Sequence, residues 1–331
     1  MPADKLRIYI TVDTETSMGG AWTNPVYSPL PLSGPVFGEY RGEFYGIPLI
    51  MDILDEYGLR ATFFTEVFCG HHVGYSQVEK VLRLIADRGH DPQLHLHPIY
   101  HFYREALAGR PRREIDLMHQ LPESEQHDLI GEGIALFKKL SGVSPRAYRA
   151  GCYGGSETVL RVLESHGIQI DSSYNLAYLK STCGFKTPFL NAPALIGGVC
   201  EFPVTVFRVA GFSRHKPLEI SAVSVAEILG TIRQLRRAGC RDVVMVLHSF
   251  SLLKNQAIRY EGRRPDHIVI RRLKKLCAAL VLLKAEVAVT TLGQADGRAC
   301  ASGQPQIAPT LGMLRPALRK LVQGVNRLPW I

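Results

Sequence analysis

The run Asp242-Val243-Val244-Met245-Val246-Leu247-His248-Ser249-Phe250 constrains the fold more than any other stretch of the chain. Its apolar residues follow one another without alternation, so as a strand it is buried on both faces, which is the condition of a parallel strand covered by helices. The rest of the chain repeats the theme. Strand-like runs at Leu6–Val12, Arg60–Thr65, the stretch ending in Leu94-His95-Leu96-His97, Ala147–Ala150, Ile168–Asp171, Val199–Val206 and Glu286–Thr290 are separated by apolar residues at helical spacing over 47–57, 76–88, 123–141, 156–166, 223–238 and 265–283. Gly58 stops the first helix, and Pro203 marks its strand as an edge or a bulge. About eight strands alternating with helices predict an α/β fold, a distorted seven- or eight-stranded TIM-like (β/α) barrel. Residues 1–292 form the barrel in this reading, 293–313 a Gly-, Ala-, Gln- and Pro-rich linker, and 314–331 a basic amphipathic helix.

Composition excludes several classes. No apolar run approaches the ~20 residues of a membrane span. The N-terminal Met1-Pro-Ala-Asp-Lys-Leu-Arg leads straight into a strand and leaves no room for a secretory signal, so a cytoplasmic location is expected. The seven cysteines are odd in number, scattered and without a Cys-x-x-Cys pair, which predicts reduced thiols, mostly in the core. A net charge of +9 suits anionic surroundings, but no zinc-finger or aromatic-basic motif accompanies it, and nucleic acid is not an expected partner.

The chemistry-bearing residues gather at strand ends. In Gly89-His90-Asp91-Pro92-Gln93-Leu94-His95-Leu96-His97-Pro98, strand alternation sends His95 and His97 to one side, and Pro98 ends the ladder. The first strand ends in Asp13-Thr14-Glu15, two carboxylates on one face that are costly to desolvate without a cation or hydrogen bonds. Arg149, Asp171 and His248 complete a set in which every member lies at the carboxyl end of a predicted parallel strand, the side on which barrels build their sites. Two His and a carboxylate make a metal set with open positions; a second carboxylate is then available to take a proton from water, and a further His to return it. Residues 17–44 read as a long loop in which Trp22, Tyr27, Phe37 and Tyr40 would suit stacking on a sugar or packing of the loop itself. Residues 102–122 read as basic and irregular.

In order and spacing these residues resemble the polysaccharide deacetylase family, the chitooligosaccharide deacetylase homology group of carbohydrate esterases, over about residues 6–292. Thr11-Val12-Asp13-Thr14-Glu15 is similar to its first motif, Gly89-His90-Asp91 followed by His95 to its second, Arg149 to Tyr153 to its third and Leu247-His248-Ser249 to its last. The resemblance implies Asp13 as general base, Glu15 and His95 as metal ligands, Arg149 as the residue orienting the base, the Tyr153 backbone amide at the oxyanion and His248 as general acid. The family pattern spaces its two metal His by three or four residues, whereas Ile99 and Tyr100 occupy those places here. The second ligand is then His97 or His101, and strand alternation favours His97. Glu15 also stands where the common form has Asp.

The resemblance implies a metal-dependent carbohydrate N-deacetylase, a hydrolase removing an acyl (acetyl) group from an amino sugar of a polysaccharide or lipid-linked precursor. Zn²⁺ is the expected ion, with Co²⁺ or Ni²⁺ as alternatives, and Asp171 and Trp22 are the expected substrate contacts. The competing readings are an amidohydrolase on a small amide or ureide and a non-catalytic glycan-binding barrel. In the 314–331 helix an apolar face of Leu314, Ala317, Leu318, Leu321, Val322 and Val325 is flanked by basic residues. It would suit peripheral contact with an anionic inner membrane surface, or docking on the barrel.

Overall fold

The structure is a computed structural model and describes residues 5–255, 257–296, 300 and 303–312. Its main sheet comprises β1 (Leu6–Thr14), β2 (Thr62–Glu66), β3 (Asp91–Leu96), β4 (Ala147–Ala150), β5 (Ile170–Asp171), β6 (Ala194–Ile196), β7 (Val199–Glu201), β8 (Asp242–His248) and β9 (Val287–Thr290). The order is β8-β1-β2-β3-β4-β5-β7-β6, with β9 beside the first half of β1. All pairs are parallel except β6 on β7. The sheet curls, and the outer edge of β8 is met by segments that follow β7. The Thr205 amide donates to the Val244 carbonyl, the Val246 amide to Leu218 and the Ile220 amide to Val246. The expected α/β barrel is therefore present, closed on that side by irregular chain.

Alternation along the strands sorts the core into two layers. Ile8, Ile10 and Val12 of β1, with Val243, Met245 and Leu247 of β8, point outward and pack with Phe63, Leu94 and the helices' apolar faces. Tyr9 and Val244 point inward and meet Phe64, Ala147, Ile170 and Phe202 in the barrel's interior. Four residues on from each of these inner positions, and so on the same face, come Asp13 and His248, directly opposite each other in the β1–β8 register. The period-2 rule thus delivers a carboxylate and an imidazole to the carboxyl end of the same interior.

The helices fall where the periodicity predicts, at Ile47–Glu56, Tyr75–Asp87, Glu123–Ser141, Glu157–Ser165, Val225–Arg237 and His267–Leu282. One departure touches the site. The start of the stretch read as basic and irregular belongs to a further helix, Pro98–Leu107, with His97 as its N-cap and the proline in its first turn. Proline ends the β3 ladder there, and its fixed φ and missing N–H suit the first position of a helix.

Two other expectations need correction. Cys200 of β7 and Cys300 form a disulfide, with Cα atoms 5.8 Å apart and 100 residues of separation, so not every thiol is reduced. Sequence spacing carries no sign of a pair that distant. Nor is 303–312 a loose linker. Gln304 donates to Asp242, Gln306 to the Ala192 carbonyl, and Thr310–Leu311 pairs in parallel with Val206–Val209. The amphipathic helix expected over 314–331 lies outside the described residues, among which no helix is long and apolar enough to cross a membrane.

The bridge ties the chain's last described segment to the sheet and shortens the unfolded ensemble. The double variant Cys200→Ala/Cys300→Ala is expected to lose about 2–4 kcal/mol against urea. A midpoint equal to that of the parent would show that the bridge contributes nothing.

Candidate active site

Arg149 is the centre of the site and is completely buried. It donates from Nη1 to Asp13 Oδ1 at 2.6 Å and to Thr11 Oγ1 at 2.9 Å, from Nε to the Ser172 carbonyl at 2.9 Å and from Nη2 to Ser172 Oγ at 2.8 Å. Its guanidinium lies 4.4 Å from the Phe64 ring centroid. A buried guanidinium is tolerable only when its donors are met and its charge is balanced, and Asp13 supplies the balance. The other Asp13 oxygen, Oδ2, lies 4.0 Å from His248 Nε2. The His248 ring stacks on Phe250, and its Nδ1 stands 3.9 Å from Glu219, whose carboxylate accepts from Ser221. Ser249 laces the two strand ends: its amide donates to the Asp13 carbonyl at 2.8 Å and its hydroxyl to that of Glu15 at 3.2 Å.

Beside this pair, three side chains converge. His95 donates from Nδ1 to the Arg149 carbonyl at 2.7 Å, and His97 from Nδ1 to Asp116 at 2.9 Å. Each donation fixes the ring and turns its Nε2 toward Glu15 Oε2, which lies 3.2 Å from His95 and 2.7 Å from His97. Their ligand atoms all lie within 4.8 Å of one another. Two imidazole lone pairs and a carboxylate oxygen facing a single point require a positive charge there, either a proton or a cation. The pKa shifts say the same. Burial opposes charge on His97, yet Asp116 and Glu15 on either side hold its pKa well above the ordinary value. Burial would raise Glu15, but the His97 charge and hydrogen bonds from both rings hold it well below. The donor set therefore fits a divalent ion: two nitrogens and one oxygen, with carbonyl and carboxylate partners behind the rings.

The strand-to-helix turn after Arg149 packs close to this cluster. A Cβ at Gly151 would stand 2.6 Å from the His97 ring, so glycine is required there. Cys152 and Tyr153 follow at φ of 52° and 59°, and the Tyr153 ring stacks on Tyr178 at 5.4 Å. Positive φ at two consecutive non-glycine residues is strained backbone, a feature that concentrates at functional sites.

Of the residues singled out in the sequence, Asp13, Glu15, His95, His97, Arg149, Tyr153 and His248 come together. His101 does not. It lies one helical turn beyond His97 and faces Arg104 and Glu132. Asp171 is fully buried, and its carboxylate accepts from the amide and hydroxyl of Ser173 beside Glu201, so it is closed to a substrate. Trp22 packs edge-on against Tyr103 with Arg112 over its ring, which makes it a residue that holds its loop down. Asp116 and Glu219 were not legible in the sequence, since both lie in stretches without periodicity; an acid in the irregular segment after the His-rich strand was the available sign for Asp116.

The polysaccharide deacetylase family model matches residues 45–170 of the chain. Among solved structures, a putative polysaccharide deacetylase from Mycobacterium smegmatis aligns at a TM-score of 0.57 and 16% identity, covering 94% of this chain and 97% of that one. The 4-alpha-glucanotransferase from Thermococcus litoralis aligns at 0.52 and 11%, covering 93% and 42%. A family 4 carbohydrate esterase from Streptomyces lividans aligns at 0.42 and 14%, covering 93% and 100%. At 16% and 11% identity the first two likenesses are ones of fold. A search of curated protein sequences finds no match. Asp13, Glu15 and His248 lie outside the matched segment, and it is the sheet that brings them to it.

Removing the guanidinium leaves the Asp13 carboxylate buried without its partner. Arg149→Met is expected to cost about 3–5 kcal/mol in urea unfolding, the range for breaking a buried pair on one side. A loss below about 1 kcal/mol, the worth of an exposed pair, would contradict this account of the ion pair.

Proposed function

We propose that this chain is a metal-dependent N-deacetylase that hydrolyses the acyl amide of an amino sugar in a glycan. The observation that carries this reading is the juxtaposition of an Arg-held carboxylate and an imidazole, Asp13 and His248, with the Glu15/His95/His97 cluster. Glu15, His95 and His97 would hold a divalent ion, Zn²⁺ being the best match to mixed nitrogen and oxygen donors, and when bound it would polarise the acyl carbonyl and acidify a water.

The chain's own residues do the rest. Arg149 fixes Asp13 through one carboxylate oxygen, so that the other, Oδ2, is presented to the water as general base. Water attacks the acyl carbon, and its proton passes to Asp13. His248 Nε2 then gives a proton to the amide nitrogen as the C–N bond breaks, leaving a free amine and a carboxylate. Glu219 faces Nδ1 of that ring at 3.9 Å, on the side away from Asp13. The Tyr153 amide, on the strained turn, is the proposed partner of the acyl oxygen as it gains charge.

The Cys200–Cys300 bridge favours an oxidising compartment over the expected cytoplasm, and with it a polysaccharide over an inner-leaflet precursor.

Acetate release from N-acetylglucosamine oligomers tests the roles. Asp13→Asn is expected to abolish turnover while the ion at Glu15 stays bound, and His248→Ala to slow it by roughly 10²–10⁴-fold, the worth of a general acid. Near-parent turnover in either variant would remove that residue from the mechanism.

A further inference from the structure

A second group of metal-capable side chains lies away from Asp13 and His248. His71 comes from the short helix Gly70–Val73, His101 from Pro98–Leu107 and Glu132 from Glu123–Ser141. Their ligand atoms also fall within 4.8 Å of one another. Arg104 reaches into the group: Nη1 lies 3.1 Å from His71 Nε2 and 3.0 Å from Glu132 Oε1, and Nη2 lies 3.0 Å from His101 Nδ1.

Within this group His101 Nδ1 is shared between Arg104 and Glu132. Arginine only donates, so the contact with Nη2 asks His101 Nδ1 for a lone pair, while Nη1 faces the His71 ring, 3.2 Å from its Nδ1 and 3.1 Å from its Nε2. His71 Nδ1 shares a 2.6 Å hydrogen bond with the Tyr75 hydroxyl, and the other His101 nitrogen, Nε2, points to Glu105 at 3.6 Å. The same assignment sets the His101 Nδ1 lone pair 3.2 Å from Glu132 Oε2, and His71 Nε2 lies 3.6 Å from Oε1. Protonating His101 at Nδ1 would relieve Glu132 but turn an N–H against the guanidinium. With Nδ1 protonated, His101 donates to Glu132 and leaves Arg104 Nη2 to solvent, whereas one cation in place of the guanidinium serves both imidazoles and the carboxylate at once.

We propose that His71 Nε2, His101 Nδ1 and the Glu132 carboxylate form a second site for a borderline divalent ion such as Zn²⁺, with Arg104 as the cation that the ion displaces. The donor set is two imidazoles and one carboxylate, and both rings have oxygen partners on their far side, Tyr75 and Glu105. The Arg104 side chain is 39% exposed, so it has a route out to water. An ion here ties together three helices, one of which begins at His97. It would therefore brace the helix that opens on a proposed ligand of the Glu15 site, without touching substrate.

The test is metal content of the full chain by mass spectrometry, after loading with Zn²⁺ alone and dialysis, for the parent and for His101→Ala, Glu132→Gln, Arg104→Met and His97→Ala. The parent is expected to retain a second equivalent. His101→Ala and Glu132→Gln should each lose one equivalent and keep the other. Arg104→Met, freed of the competing cation, should keep both and release the second more slowly to a chelator. A purely structural ion-pair network predicts the reverse, because Arg104→Met would then weaken the group and gain no ion. The proposal is overturned if the parent and Arg104→Met both hold a single equivalent, or if His101→Ala holds as much as the parent. A single equivalent that His97→Ala removes would overturn this proposal and leave the Glu15 site standing.

Discussion

The buried contact between Arg149 and Asp13 is the constraint on which the barrel's upper end depends. A guanidinium with no solvent exposure must have its donors met, and here they reach β1 through Thr11 and Asp13 and the segment after β5 through Ser172. These partners lie on opposite sides of the interior, so the pair acts as a strut across it. It also orients Asp13, because the oxygen that Arg149 holds determines which oxygen faces His248. The Arg149 carbonyl in turn accepts from His95, linking the strut to the Glu15 cluster. One residue thus positions both the carboxylate proposed to move the proton and a ring proposed to hold the ion.

Charge is handled by the same logic at both His clusters. In each, two imidazoles and a carboxylate gather around one gap, and a positive charge is favoured there. At Glu15 the carboxylates on either side of His97 keep its ring charged against the cost of burial. At Glu132 the guanidinium of Arg104 supplies the charge from outside. The Pro98–Leu107 helix connects the two, since His97 caps it and His101 lies on its next turn.

What the sequence revealed followed from periodicity. The period-2 rule carried Asp13 and Glu15 to one face, and His95 and His97 to another; Glu15 and His97 fall just past the ends of their strands, and His97 keeps the extended backbone there, so Glu15 meets both rings. Preferring His97 over His101 rested on the same rule, and the helix begun by Pro98 explains why His101 turns away. Partners from irregular chain were not legible. Asp116 and Glu219 lie between elements, and only the folded crossings bring them to His97 and His248. The Cys200–Cys300 pair was hidden by its separation, and Asp171 misled because a strand-end position does not reveal whether a side chain faces the opening or the core.

The central claim is hydrolysis of an acyl amide by a water delivered at Asp13. Incubating the Zn²⁺-loaded chain with N-acetylglucosamine oligomers in oxygen-18 water, and analysing the products by mass spectrometry, tests it most directly. The account predicts free acetate carrying the heavy oxygen and an oligomer that keeps its chain length with an amine in place of the amide. Oligomers left intact by the fully loaded chain, or label entering a cleaved glycosidic bond, would contradict it.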